Sequence, residues 1–323
     1  MNIRLDILQV LVAACTDIAF ALLVGMLLAE RAVTGRERAQ VRVRQNLRAI
    51  GLGAATALLA AQWLSLWLQS AVLTGLPLAD VSSQLLTVVT DTHYGSAWLI
   101  GYLAVLVLFA VLLTHFVRSR ASGDVTGLPA GMWMAASIGA ALLALTRAAV
   151  SHAAEGGDLS WPECVDCLHL CATAAWAGLI VTSAWSVLPV WRVHASRTQQ
   201  LSYVNGLSHS AGAAFLVALA AGAFNTLYQV DGDWTTFLNS AWARILLFKL
   251  VLIACALGCA AYNRAIGLPR LRRDAASLDL DLTAQDAFDL AYQAFGRWLA
   301  LEALLLLGVL AIAAFLGRNA PGF

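Results

Sequence analysis

Charge is scarce in this sequence. Only 12% of its 323 residues are Asp, Glu, Lys or Arg, while 60% are hydrophobic. A soluble domain carries about a quarter charged residues, so a water-soluble globule is excluded. Methionine is also scarce. The four, Met1, Met26, Met132 and Met134, form no methionine-rich motif. There is no phosphate-binding loop or ATP-site motif, which excludes ATP-driven work by this chain alone. No Ser/His/Asp arrangement stands out, so no catalytic residues are expected and the chain does not read as an enzyme. The short alternating segments of a membrane β-barrel are missing too.

What is there is apolar sequence in long runs. Eight segments reach the roughly 20 apolar residues that a spanning helix needs. They cover about 7–29, 47–73, 95–117, 131–151, 166–188, 205–229, 241–262 and 295–317. The expected fold is therefore all-α, a polytopic membrane protein with eight transmembrane helices. The start, MNIRLDILQ, has neither a basic n-region nor a small-residue cleavage site, so the first run is expected to remain as a helix.

Arginine placement sets the expected orientation. Arg31, Arg36, Arg38, Arg42, Arg44 and Arg48 follow the first segment, in a stretch read as a loop. Arg118 and Arg120 follow the third, Arg192 and Arg197 the fifth, and Arg264, Arg270, Arg272 and Arg273 the seventh. The loops after the second, fourth and sixth segments have no Lys or Arg. That alternation puts the Arg-rich loops in the cytoplasm and both termini in the periplasm. It also accounts for the one stretch basic enough to suggest nucleic acid, so no nucleic-acid partner is expected. The opposite loops are acidic, with Asp80, Asp91, Glu155, Asp158, Glu163, Asp231 and Asp233. Such a rim either raises the local cation concentration or is simply solvated. The insert 264–294 reads as an amphipathic cytoplasmic segment. Ser96-Ala97-Trp98 matches Ser240-Ala241-Trp242, and Asp6-Ile7-Leu8-Gln9 is paired with Asp166-Cys167-Leu168-His169. Both pairs are offset by four segments. They suggest two parallel four-helix halves, 1–150 and 151–323, in one membrane domain.

The densest set of potential metal ligands lies in 147–178, between the fourth and fifth segments. His152 and His169 fall there, and His93 precedes the third segment on the same side. Imidazole is the commonest metal ligand and suits copper and zinc. The run Cys164-x-x-Cys167-x-His169-x-x-x-Cys171 invites a single zinc site, but a helix forbids it. At about 100° per residue, Cys164, Cys167 and Cys171 share one face. His169 points away from them with Asp166, Thr173 and Trp176. Three readings of the cysteines stand: a soft-metal pair, a Cys164–Cys167 disulfide, or packing. Asp17, Arg147, Lys249 and Glu302 are ionisable groups inside apolar segments, and such groups need partners or a function. Lys249 with Glu302, and Asp17 with Arg147, are the expected pairs. Cys255 and Cys259 share a face of the seventh segment, as a soft-ion relay or as packing.

Several short motifs then fall in order along the chain. They are Thr92-His93-Tyr94-Gly95 before Trp98, Ser151-His152-Ala153, Asp166-x-x-His169 before Trp176-x-Gly178, and Phe248-Lys249-Leu250 followed by Asn263-Arg264 and Pro269. Together they resemble the copper resistance protein D (CopD) family of bacterial inner-membrane proteins. The resemblance implies copper movement from periplasm to cytoplasm, often beside a periplasmic copper-binding partner, CopC. It points to His93, His152 and His169 as copper ligands. The chain departs from the family pattern in two places: Gly178-Leu179 stands where Gly-Gly is usual, and the three cysteines near the fifth segment are unusual. Two other functions fit the same residues. One is a b-type haem electron-transfer protein, using His93, His152 and His169 or His115, His194 and His209. The other is a non-transporting copper sensor or CopC-docking partner.

Overall fold

The computed structural model describes residues 3–33, 38–122, 126–230, 234–276 and 282–317. Among them there is no strand, and eight helices are long and apolar enough to cross a membrane. They are α1 (Ile3–Ala32), α2 (Arg38–Thr74), α3 (His93–Ser122), α4 (Ala130–Ala148), α5 (Trp161–His194), α6 (Arg197–Val230), α7 (Ala241–Ala276) and α8 (Leu282–Leu316). The chain is a multi-pass α-helical membrane protein.

Several helices run past the apolar segments. Arg38 to Arg48 were expected in a loop, yet they form the first turns of α2. Arginine is a good helix former, and this end of α2 is held from outside. Arg44 donates to the Val33 carbonyl at 2.7 Å, and Arg48 donates to the Thr126 carbonyl. The insert 264–294 is likewise mostly helix, as the end of α7 and the start of α8, with Leu271 and Phe288 fully buried. Residues 277–281 of it, like Arg36, Asp231 and Asp233, lie outside the described residues.

Both α5 and α7 carry a π-helical turn, Ser183–Val187 and Asn263–Gly267. Each stands just before a proline, Pro189 or Pro269. Proline has no N–H and its ring crowds the carbonyl four residues back, so each helix widens by one residue instead of breaking.

Helices α1 and α5 form the centre. A Cβ added to Gly25 on α1 would fall on the Gly178 carbonyl of α5, and one added to Gly178 would fall on the Ala21 carbonyl. In lipid, close backbone approach of this kind supplies much of helix association. Around this crossing the contacts run in two matching series. Helix α1 packs on α2, and α5 on α6. Helix α3 packs on α4, and α7 on α8. Helix α1 also packs on α8, and α5 on α4. The series differ at one point. Helix α2 packs along α3, where the Trp98 indole donates to the Gln62 carbonyl at 2.7 Å. Helices α6 and α7 scarcely touch within the membrane and meet only at the Arg-rich end, where Arg272 donates to Asn205.

Candidate functional site

The gap between α6 and α7 opens into a chamber of about 770 Å³, floored by α1, α5 and α8 and reaching residues of α2, α3 and α4. It lies in the half of the membrane away from the arginine-rich ends. Its charged side chains and imidazole are Asp17 from α1, Arg147 from α4, Asp166 and His169 from α5 and Lys249 from α7, joined by amides that include Asn225 from α6 and Gln62 and Gln69 from α2. Helical spacing explains the α5 contribution. Asp166, His169, Thr173 and Trp176 fall on one stripe, and all four line the chamber.

The charges are arranged in balance. Arg147 donates to Asp17, with side-chain exposures of 22% and 13%, so the intramembrane pair expected from the sequence does form. Arg147 Nη1 is buried without a partner. Asp166 accepts from Ser151 Oγ at 3.0 Å and from Asn225 Nδ2 at 2.8 Å. Lys249, the sole lysine of the chain, lies within electrostatic reach of both Asp17 and Asp166. The expected Lys249–Glu302 pair is corrected. Helices α7 and α8 run antiparallel, with Leu252 against Gly308 and Asn263 against Phe295. That register puts Lys249 opposite roughly residue 311, about 13 Å along the axis from Glu302 at 1.5 Å per residue. Lys249 therefore serves the chamber and Glu302 does not line it.

His169 is the one histidine among the described residues that lines this chamber. Its Nδ1–H donates to the Ala218 carbonyl of α6 at 2.9 Å, which leaves the Nε2 lone pair unused. Fixing one ring nitrogen to a carbonyl is how proteins orient a histidine that ligates through the other. Gly222 makes the room, since a Cβ there would come within 2.8 Å of His169 Cε1. Sequence reasoning missed Gly222; one glycine in a small-residue helix gives no signal.

His93 lies elsewhere. It opens α3 at the rim, 54% exposed, with Nε2 2.8 Å from Asp158, which is itself 72% exposed. The motif around it is a helix start. Thr92 Oγ1 accepts from the Gly95 N–H at 2.9 Å, and Gly95 lets α3 touch the Val88 carbonyl of the short helix Leu85–Asp91. His152 opens a 3₁₀ turn, His152–Gly156, beyond the end of α4. Its side chain, like that of Glu155, lies outside the described residues. Ser151 ties that turn to Asp166, one helical turn from His169. Among the described residues no three His, Cys, Asp or Glu side chains gather as a metal site.

The cysteines face away from the chamber. Cys164, Cys167 and Cys171 are free thiols, so the structure holds no Cys164–Cys167 disulfide. Cys167 lies beside Cys171, one helical turn on, and both pack against the core. Cys255 is exposed and Cys259 is buried. Near the arginine-rich ends, His194 contacts Arg42 at 2.6 Å and His209 bonds the Asn205 carbonyl of its own helix at 2.7 Å. His115 is buried separately on α3.

Fold and site together define a helical membrane protein with a charged chamber sunk from one face between two loosely packed helices. Residues 202–316 match the family described as copper resistance protein D, and residues 4–161 match its N-terminal domain family, copper resistance protein D-like. The chain belongs to the copper resistance protein D family. It is 30% identical over 188 residues to copper resistance protein D of Pseudomonas syringae pv. tomato, covering 57% of each chain. The aligned part is thus under two thirds of that relative. It is 28% identical over 240 residues to inner membrane protein YebZ of Escherichia coli strain K12, covering 72% of this chain and 73% of that one. No solved structure matches the chain.

Proposed function

We propose that the protein is a copper permease of the bacterial inner membrane that takes copper from the periplasm toward the cytoplasm through the α6–α7 chamber. The observation that carries this reading is His169, held at Nδ1 by Ala218 with its second nitrogen free, inside a membrane-sunk chamber. Family membership supports copper as the cargo. The acidic rim, with Asp80, Asp91 and Asp158 exposed, suits collection of a cation or docking of a CopC-like copper carrier. Both termini lie in the periplasm on this reading, because the arginine-rich ends mark the cytoplasm. The two halves, 1–150 and 151–323, share the α1–α5 crossing.

His93 with Asp158 takes copper at the rim, and His152, on the turn that Ser151 ties to Asp166, is the third candidate ligand. Asp166 stabilises the incoming charge, while Arg147 and Lys249 keep the empty chamber near neutral. On the opposite face of α5, Cys167 contributes packing and exposed Cys164 bonds the Leu159 carbonyl, so neither supplies a ligand to this path.

Copper binding by the purified protein tests this. His93/His152/His169→Ala should abolish the tight site. His169→Ala alone should weaken it by more than the roughly 10–100-fold that loss of an outer-shell partner costs. Unchanged stoichiometry and affinity in the triple variant would overturn the site.

A further inference from the structure

Below the first chamber, toward the arginine-rich end, the same gap holds a second cavity of about 320 Å³ between α5, α6, α7 and α8. The two share only Trp176 and Phe215, whose rings meet in a tilted contact at 4.9 Å between centroids and 58° between planes. These rings are the partition between the chambers.

Glu302 lines the second chamber. It is 2% exposed and has neither a hydrogen-bond nor an ion-pair partner among the described residues. Asn263 lines it too, 4% exposed, with Oδ1 buried and unpartnered while its Nδ2 donates to the Phe295 carbonyl. Ionisable neighbours are few. Helix α7 brings Cys259 beside Glu302 and exposed Arg264 at the mouth, where the guanidinium reaches Gly212 of α6. Helices α5 and α6 add no ionisable side chain to the lining, α1 adds no residue, and α8 adds only Glu302.

We propose that Glu302 is a proton-binding carboxyl, serving the arginine-rich side through this second chamber and screened from the first by Trp176 and Phe215. An ionised carboxylate without a partner is costly inside a membrane, and taking up a proton removes the charge. A proton needs one carboxyl oxygen, whereas a metal ion needs several ligands. Cys259 does not line the chamber, and the oxygen donors that do mismatch a soft ion such as Cu(I). The chamber has room for several waters at about 30 Å³ each. Those waters can join Glu302 and Ser208 to the Arg264 mouth. The site is argued from the chamber alone. Its role, a proton exchanged against copper movement, rests on the permease reading.

Carbodiimide chemistry reads such a site without copper. Full-length protein in lipid nanodiscs is treated with dicyclohexylcarbodiimide, which reacts with protonated carboxyls in apolar surroundings, and adducts are mapped by peptide mass spectrometry. Infrared spectra of the same samples report the carbonyl band of a protonated carboxyl. An adduct is expected at Glu302, declining about ten-fold per pH unit above its titration point. Both adduct and band should vanish in Glu302→Gln. Absence of both in the folded wild type across the pH series would overturn the proposal. Protection by sodium against choline at fixed pH would also overturn it, assigning the site to a metal cation. Either failure leaves copper binding at His169 standing. Loss of that binding with labelling intact would instead sink the permease reading.

Discussion

Asp17→Ala should cost about 3 kcal/mol of stability, the lower end of the roughly 3–5 kcal/mol seen when one partner of a buried pair is removed. The cause is the charge left behind. Arg147 already has one buried nitrogen without a partner, and its other contact is the Asp17 carboxylate. Without Asp17 the guanidinium would lose its ion pair and keep only the longer-range attraction of Asp166. The loss falls at the low end because the pair lines a chamber and keeps 22% and 13% exposure, so water softens it. Asp17→Asn/Arg147→Gln removes both charges and leaves a neutral amide at each position. It should recover most of the lost stability, because the pair acts as a unit. Unfolding of the purified variants by sodium dodecyl sulfate titration measures both. A double variant no more stable than Asp17→Ala would show that the charges are not what couples the two positions.

Gly178→Leu should be at least as damaging. Overpacking a core ordinarily costs about 1–3 kcal/mol because side chains can shift. Here the first added carbon meets the Ala21 carbonyl, which is backbone and cannot rotate aside. Helices α1 and α5 would have to separate, and with them the floor of the chamber. The expected result is loss of most folded protein from detergent extracts, read by size-exclusion profile and unfolding midpoint. Gly206→Leu is the control, since nothing lies within 4 Å of a Cβ added there. Equal yields from the two variants would contradict the close crossing.

The membrane-spanning segments were legible because lipid imposes one rule on all of them: about 20 apolar residues with every backbone group satisfied internally. The face of α5 was legible for a similar reason, since 100° per residue separates His169 from the cysteines whatever surrounds them. The Asp17–Arg147 pair was legible because charges inside lipid must find partners. Composition does not say which helices touch. Helices α6 and α7 are as apolar as α2 and α3, yet one pair is closed and the other open. Both chambers and the Trp176–Phe215 partition follow from that difference. The same blindness produced the Lys249–Glu302 pairing, which adjacency suggested and register forbids. Pro189 and Pro269, beyond the ends of the fifth and seventh apolar segments, carry the sequence signal for the π turns.

The chamber claim is tested most directly by copper uptake into proteoliposomes. Protein reconstituted with the acidic rim outward should load copper above protein-free vesicles, and His169→Ala should reduce that uptake to the protein-free level. Uptake by His169→Ala equal to that of the wild type would contradict entry through this chamber.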